Sequence, residues 1–272
     1  MIDSAGAEIL YADAPAKINL SLDILGRRAD GYHDLRTVMA SVSLYDKLTV
    51  TLAPCGAGRE TFTAEAEGVE GDNLAARAAR LFMAAAGMAG WSVDVRIEKQ
   101  IPVRAGLGGG SSDAAAVLRT LDGWAWERAA GRKPPLPALA LELGSDVPYC
   151  LRGGVCLAEG RGEILTPLPP LPECWIVLSA PPVEVSTAEA FGRFDALGQP
   201  PCIKDGNAFE AVIAFPEMAE IKRVLIRAGA SRAAMSGSGP TVFGIFHDIN
   251  PAKTAFDALR AIFPKTFLTT PV

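Results

Sequence analysis

The stretch from Val103 to Leu121, VRAGLGGGSSDAAAVLRTL, decides how the rest of the chain is read. Three consecutive glycines, Gly108, Gly109 and Gly110, run into Ser111, Ser112 and Asp113, and an alanine-rich segment follows. Upstream, WSVDVRIEKQIP places Val93, Val95 and Ile97 at the period of two that a strand requires, and the strand stops near Pro102. Downstream, Leu118, Leu121 and Trp124 continue a helix. A glycine-dense turn between strand and helix lets backbone approach a ligand with no Cβ in the way. The free N–H groups and dipole of the helix start favour an anion, so the turn suits a phosphate. Ser111 and Ser112 can add hydroxyl donors or a magnesium ligand. Such turns also serve packing alone, but GGGSSD is denser than packing requires. The chain contains no GxxxxGK[ST], so this is not a Walker loop. Nor is it a dinucleotide fingerprint, because Ser111 stands where G-x-G-x-x-G counted from Gly106 needs glycine. The positive charge for a phosphate must therefore come from another part of the chain.

Composition narrows the class. The chain has 272 residues, 49% hydrophobic and 21% charged, enough for a substantial core and ordinary for a soluble globular protein. The net charge of −5 argues against a dedicated nucleic-acid binder. Five cysteines, Cys55, Cys150, Cys156, Cys174 and Cys202, form no CxxC pair and no cluster with histidine. That spacing fits a reducing compartment and argues against a structural zinc site. The opening MIDSAGAEILYADAPAKINL is broken by Asp and Pro, unlike a leader, and no apolar run reaches the length of a spanning helix. A cytoplasmic protein without membrane attachment is expected.

Around the glycine loop the sequence predicts an α+β chain. AKINLSLDIL puts Ile18, Leu20, Leu22 and Ile24 on one face of a half-buried strand, and Asp30-Gly31 is turn chemistry. TVMASVSLYDKLTVTL returns to strand composition. GDNLAARAARLFMAAAG is a helix that Asp72 or Asn73 caps and Gly87 ends. AGRKPPLPALALELG reads as a proline-marked connection and a short helix, and GSDVPYCL as a helix start with Ser145 or Asp146 at the cap. Beyond Gly153, paired strands are joined by Gly and Pro turns, and PLPPLP reads as a stiff loop rather than a polyproline ligand. The tail holds a helix in FPEMAEIKRVLIRAG, a strand after the turn SGSGP, and a last amphipathic helix from Pro251. Two packed halves, 1–158 and 159–272, are expected.

Lys17 and Asn19 share the strand face opposite Ile18 and Leu20, so they form a polar pair that a ligand can use. A lone lysine on a strand is otherwise a solvated one. Asp146 is a helix cap, a catalytic carboxylate, or both, since each use keeps it ionised. Gly237, Ser238 and Gly239 form a second glycine–serine turn, which also reads as a plain turn. Tyr32 and His33 follow Asp30-Gly31 and carry little weight alone.

Taken together, PAKINLSLDILGRRADGYHDLRTVM, IPVRAGLGGGSSDAAAVL, GSDVPYCLRGG and MSGSGPTVFGIF resemble the GHMP kinase superfamily over nearly the whole chain. GRRADGYH points to the branch that phosphorylates the 2-hydroxyl of a cytidine-diphosphate sugar alcohol in the non-mevalonate isoprenoid route. The resemblance implies an N-terminal ribosomal-protein-like α/β domain and a C-terminal ferredoxin-like α/β domain with a cleft between them. It implies ATP and Mg²⁺ as cofactors, Ser112 being a candidate magnesium ligand, and a monomer or weak dimer with no nucleic acid or membrane as partner. Lys17 and Asp146 match the catalytic pair: Asp146 accepts or orients the hydroxyl proton, and Lys17 keeps Asp146 ionised and offsets phosphoryl charge. Gly106, Leu107, Gly108, Gly109, Gly110, Ser111 and Ser112 match the ATP phosphate cradle, with Lys99 and Pro102 on the nucleotide side. Asn19 and Thr187 match acceptor-binding positions. Tyr32 matches a cytosine stack, His33 a reader of its polar edge, and Phe191 an opposite stacking face. Gly237, Ser238 and Gly239 match a turn over the substrate phosphates. Two positions depart from the pattern: Ala208 stands in place of an acid, and Arg104 where a small residue is usual. Another GHMP small-molecule kinase and a non-catalytic nucleotide-binding protein remain the alternatives.

Overall fold

The computed structural model describes residues 6–68, 71–128, 132–198 and 206–272. The readings that fall on MIDSA, on Ala130-Gly131 and on Cys202 lie outside the described residues. Strands β1 (Glu8–Arg27) and β2 (His33–Pro54) are long, and a tight turn joins them. Asp30 Oδ1 accepts from the Tyr32 backbone N–H at 3.1 Å, and Gly31 takes a φ of 87°, which is the turn chemistry that Asp-Gly predicts. The remaining elements are β3 (Phe62–Ala66), α1 (Leu74–Ala86), β4 (Trp91–Glu98), α2 (Gly109–Glu127), α3 (Leu136–Leu143), α4 (Val147–Arg152), β5 (Val155–Gly160), β6 (Ile164–Pro167), β7 (Trp175–Ser179), α5 (Thr187–Asp195), α6 (Pro216–Arg227), β8 (Arg232–Met235), β9 (Val242–Phe246), α7 (Ile249–Arg260) and β10 (Thr266–Thr269).

The chain folds into two compact units that each gather several segments. One takes residues up to Pro15 with Tyr45–Val103 and Gly109–Arg152; the other takes Ala16–Leu44, Arg104–Gly108 and the chain from Gly153 onward. In the first, β4 lies antiparallel to the second half of β2, with Val95 opposite Val50, and parallel to β3. Helix α1 begins where Asn73 Oδ1 accepts from the Ala75 N–H at 2.9 Å and ends at Gly87, whose φ of 68° is left-handed. Its buried face, Ala75, Ala78, Ala79, Phe82 and Met83, packs on the alanines of α2. Small side chains let two helices approach closely, which is why the segment after the glycine loop is alanine-rich.

In the second unit, Leu35–Ala40 of β2 pairs antiparallel with β5, and β5 with β6. A separate four-stranded antiparallel sheet runs in the order β10-β7-β9-β8. Its strands, with α5 and α6 after β7 and α7 between β9 and β10, follow a β-α-β-β-α-β path, the ferredoxin-like arrangement expected of this half. Ile221 and Leu225 of α6, Ala255 and Leu259 of α7, and Val177, Val242 and Phe246 of the sheet are buried together. Helix α6 lies so close to β9 that a Cβ at Gly244 would meet Leu225 Cδ2 at 2.7 Å.

One sequence expectation needs amending. The alternation of β1 holds over Leu20–Ile24, but Ala16 to Leu20 are all buried, with Lys17 and Asn19 only 4% and 3% exposed. This part of β1 is covered on both faces, so its polar residues are satisfied inside the protein rather than by solvent.

Candidate active site

Lys17 sits in the middle of β1, and the glycine loop is bonded to it. The Lys17 N–H donates to Leu107 C=O at 2.9 Å, and a Cβ at Gly108 would meet Lys17 Cγ at 2.8 Å. Only glycine lets the loop lie along the lysine stem. Lys17 Nζ donates to Asn19 Oδ1 at 2.8 Å, and Asn19 Nδ2 donates to Thr37 Oγ1 at 2.8 Å. Thr37 passes its own proton to Ser21 C=O at 2.6 Å, so the amide of Asn19 is oriented by bonds on both sides.

The second glycine turn joins this group. Ser236 Oγ donates to Gly106 C=O at 2.9 Å and accepts from the Asn19 N–H at 3.2 Å. A Cβ at Gly106 would fall 2.2 Å from Ser236 C=O, and one at Gly237 3.4 Å from Asn19 Oδ1. Thr187 and Ser238 share a hydrogen bond of 2.9 Å between hydroxyls. The structure thus brings Lys17, Asn19, Gly106, Leu107, Gly108, Thr187 and the Gly237–Gly239 turn into one hydrogen-bonded group within one compact unit.

The second half of the loop has its own support in the other unit. A Cβ at Gly109 would lie 3.1 Å from Ile101 Cγ2 and 3.2 Å from Lys99 Nζ. Lys99 donates to Asp46 and, at 2.8 Å, to Asp113 Oδ2. Asp46 is fully buried, and its Oδ1 accepts from the Gln100 and Ile101 N–H groups at 2.6 and 2.8 Å. Burial works to lower the Lys99 pKa, but Asp113 and Asp46 outweigh it and hold the ammonium above its ordinary value. Burial pushes the Asp113 carboxyl up to about 7; Lys99 opposes that shift and Asp46 reinforces it. Lys99 is therefore committed to two carboxylates beneath Gly109, and Pro102 is buried just after it. Ser112 is also buried, and its hydroxyl donates to Pro15 C=O at 2.7 Å. Among the described residues, no group of three or more His, Cys, Asp or Glu side chains could hold a metal ion. Magnesium fits here as an ion carried by nucleotide phosphates, to which the protein adds at most one or two oxygens such as the free lone pairs of Ser112.

The base-binding candidates form a third group. Tyr32 is half exposed, with the Arg161 guanidinium 4.4 Å above its ring. His33 is nearly buried and stacks on Phe191, so in this structure Phe191 faces His33 and the cation covers Tyr32. Asp146 immediately precedes α4, and its carbonyl accepts from the Cys150 N–H at 3.0 Å.

Both departures have structural settings. Arg104 has a φ of 55°, in the left-handed region that glycine adopts most readily. Ala208 is buried in the core of its unit, while Asn207 beside it donates to Met235 C=O and Gly237 C=O at 2.8 and 2.7 Å. The sequence alone does not single out Asp46 or Arg161, and it gives no role of their own to Ser236 in the SGSGP turn or to Asn207 beside Ala208. The one available signal was Asp46, a carboxylate amid the apolar residues of a strand.

The fold and these two glycine turns define the class. Residues 73–154 match the model of the GHMP kinases N terminal domain, and residues 185–265 match that of GHMP kinases C terminal. The fold also resembles the L. major mevalonate kinase, with a TM-score of 0.71 and 15% identity over 100% of this chain and 98% of that one. Much nearer is the 4-diphosphocytidyl-2-C-methyl-D-erythritol kinase of Pelotomaculum thermopropionicum, 45% identical over 90% of this chain and 92% of that protein. That of Alkaliphilus metalliredigens is 40% identical over 93% of each. A crystal structure of 4-(cytidine 5'-diphospho)-2C-methyl-D-erythritol kinase superposes with a TM-score of 0.78 and 37% identity, covering 96% of this chain and 99% of that one. The chain belongs to the 4-diphosphocytidyl-2-C-methyl-D-erythritol kinase family. No helix among the described residues is long and apolar enough to cross a membrane.

Proposed function

We propose that the chain transfers the γ-phosphoryl group of ATP to the 2-hydroxyl of 4-diphosphocytidyl-2-C-methyl-D-erythritol, in the non-mevalonate route to isoprenoids. The observation that carries this reading is the seat of Lys17, whose stem lies against Gly108 and whose ammonium is aimed by Asn19. The glycine loop lacks a lysine of its own; Lys17 lies along Gly108, while Lys99, beneath Gly109, is committed to Asp46 and Asp113.

Phosphoryl transfer asks a protein mainly for positioning and charge stabilisation. Backbone N–H groups from Gly106 to Ser112 hold the phosphates of ATP, and Lys17 offsets charge that builds on the transferred group. Asp146 accepts or orients the proton of the acceptor hydroxyl, making its oxygen a better nucleophile. Asn19 orients the sugar alcohol, Thr187 and the Gly237–Gly239 turn hold its phosphates, and Tyr32 and His33 form the place of the cytosine, with Phe191 behind the His33 ring. Lys99 supports the ATP side by fixing the backbone under Gly109 through Asp46 and Asp113. Magnesium carried in with ATP would neutralise phosphate charge, with the Ser112 hydroxyl a candidate oxygen ligand. The functional division falls at 158/159, and the protein works in the cytoplasm as a monomer or weak dimer.

The test is MgATP turnover with this acceptor for the native protein, Asp146→Asn and Lys17→Met. Each substitution is expected to lower kcat on the order of 10² to 10⁴, with the circular-dichroism spectrum unchanged. Full turnover in both variants would remove this catalytic pair. Turnover of other alcohols but not of this one would favour another GHMP small-molecule kinase.

A further inference from the structure

The turn after β1 ends on His33, whose imidazole is held from two directions within one compact unit. Its Nε2 lies 2.7 Å from Asp195 Oδ1, and its ring stacks on Phe191 with centroids 4.4 Å apart and planes 13° from parallel. Phe191 is itself fixed edge-on against Phe209, at 4.9 Å and 78°. The other oxygen of Asp195 lies 3.6 Å from Arg27 Nη1. Phe191 and Asp195 are one helical turn apart on α5, so one face of that helix sets both the plane and the edge of the imidazole. A carboxylate can only accept, so the bond to Asp195 needs a proton on Nε2, and in the tautomer with that proton alone Nδ1 is a bare acceptor. Nδ1 has no partner among the described residues. Nor is it one of the unpartnered polar side-chain atoms sealed from solvent, which among the described residues are Asp113 Oδ1 and Thr241 Oγ1.

We propose that Asp195 is a specificity-determining positioning residue: by holding Nε2–H it locks His33 in the tautomer whose Nδ1 accepts from the 4-amino group of cytosine. This rests on the placement of the base at Tyr32 and His33 given above. Uracil carries an oxygen where cytosine carries that amino group, so two acceptors would face each other and neither could bond. Asp195 touches no part of the base and acts through His33. An asparagine at this position can turn its amide to donate to Nε2. The ring then carries its proton on Nδ1 and can serve the uracil oxygen as well.

The proposal is tested by competition of CDP and of UDP against the acceptor, in the native protein and in Asp195→Asn. It is paired with ¹⁵N spectra of the histidine rings, which are simple to assign because the chain has 2 histidines. The native protein is expected to show His33 protonated on Nε2 and to prefer CDP. In Asp195→Asn the CDP-to-UDP preference is expected to narrow about tenfold, the scale of a single misplaced hydrogen bond. Equal weakening of both nucleotides would make Asp195 a purely structural residue and overturn the proposal. So would a native His33 protonated on Nδ1, a result that does not depend on the variant folding. A native protein with no preference between CDP and UDP would fail earlier, at the placement of the base itself.

Discussion

Gly106 and Gly110 stand four residues apart in one loop and are glycine for different reasons. At Gly106 the φ of 75° is left-handed and a Cβ would collide with Ser236 C=O at 2.2 Å, so the residue is structural. Gly106→Ala is expected to cost about 2–4 kcal/mol of stability, read from urea unfolding. Gly110 is helical, and a Cβ there would meet only Leu74 Cδ1, at 3.9 Å. Gly110→Ala should leave stability unchanged or raise it by about 0.5–1 kcal/mol, because alanine is the better helix former. On the proposed placement of ATP its methyl group would intrude on the phosphates, so KM for ATP is expected to rise about tenfold while the melting temperature holds. A variant with unaltered KM would move the phosphates away from this end of the loop. At this scale the glycines were legible because their density is unusual, whereas Lys17 and Asn19, a polar pair on a strand, took their reading from the family resemblance. Asp113 was not legible, because a carboxylate partnered by a lysine distant in sequence reads like any solvated one, and Asp46 left only the trace of a carboxylate amid the apolar residues of a strand.

Among the elements, helices were more legible than strands. Asn73 and Gly87 mark both ends of α1, whereas β3, β8 and β10 are 5, 4 and 4 residues long, too short to show a period. The last of these lies beyond the final helix that the sequence predicts, and it is an edge strand that pairs with β7. The segment around Ala208, which looked like a weakened acid site, instead anchors a turn. Asn207 caps the 3-10 helix Ala208–Ala211 by accepting from the Phe209 N–H at 3.0 Å and ties it to Met235 and Gly237. Asn207→Ala leaves two buried carbonyls without this donor, so a loss of about 2–3 kcal/mol is expected, with KM for the acceptor raised through a looser Gly237–Gly239 turn. Thermal unfolding and acceptor titration read the two effects separately.

For the molecule as a whole, Asp113 links stability to pH. Its carboxyl is held at about 7 when folded, against roughly 3.9 in an unfolded chain. Between about pH 4 and 7 the folded state therefore keeps a proton that the unfolded state has released, so stability falls as pH rises through that window. Lys99 adds nothing to this slope, because its raised pKa matters only above the ordinary lysine value. Urea unfolding at pH 5 and pH 8 should show the native protein weaker at pH 8, with the difference reduced in Asp113→Asn. An undiminished difference would place the responsible proton elsewhere. The division of the chain was legible only as two halves, since a linear reading cannot see that Ala16–Leu44 joins the unit completed by the residues from Gly153 onward. That arrangement has a consequence for synthesis. Apolar strand made near the start must wait for partners more than a hundred residues later, about 5–20 s at ordinary ribosomal speed. Through that interval the nascent chain shows unpaired β-edge to its surroundings, and chaperone capture will concentrate on those early strands.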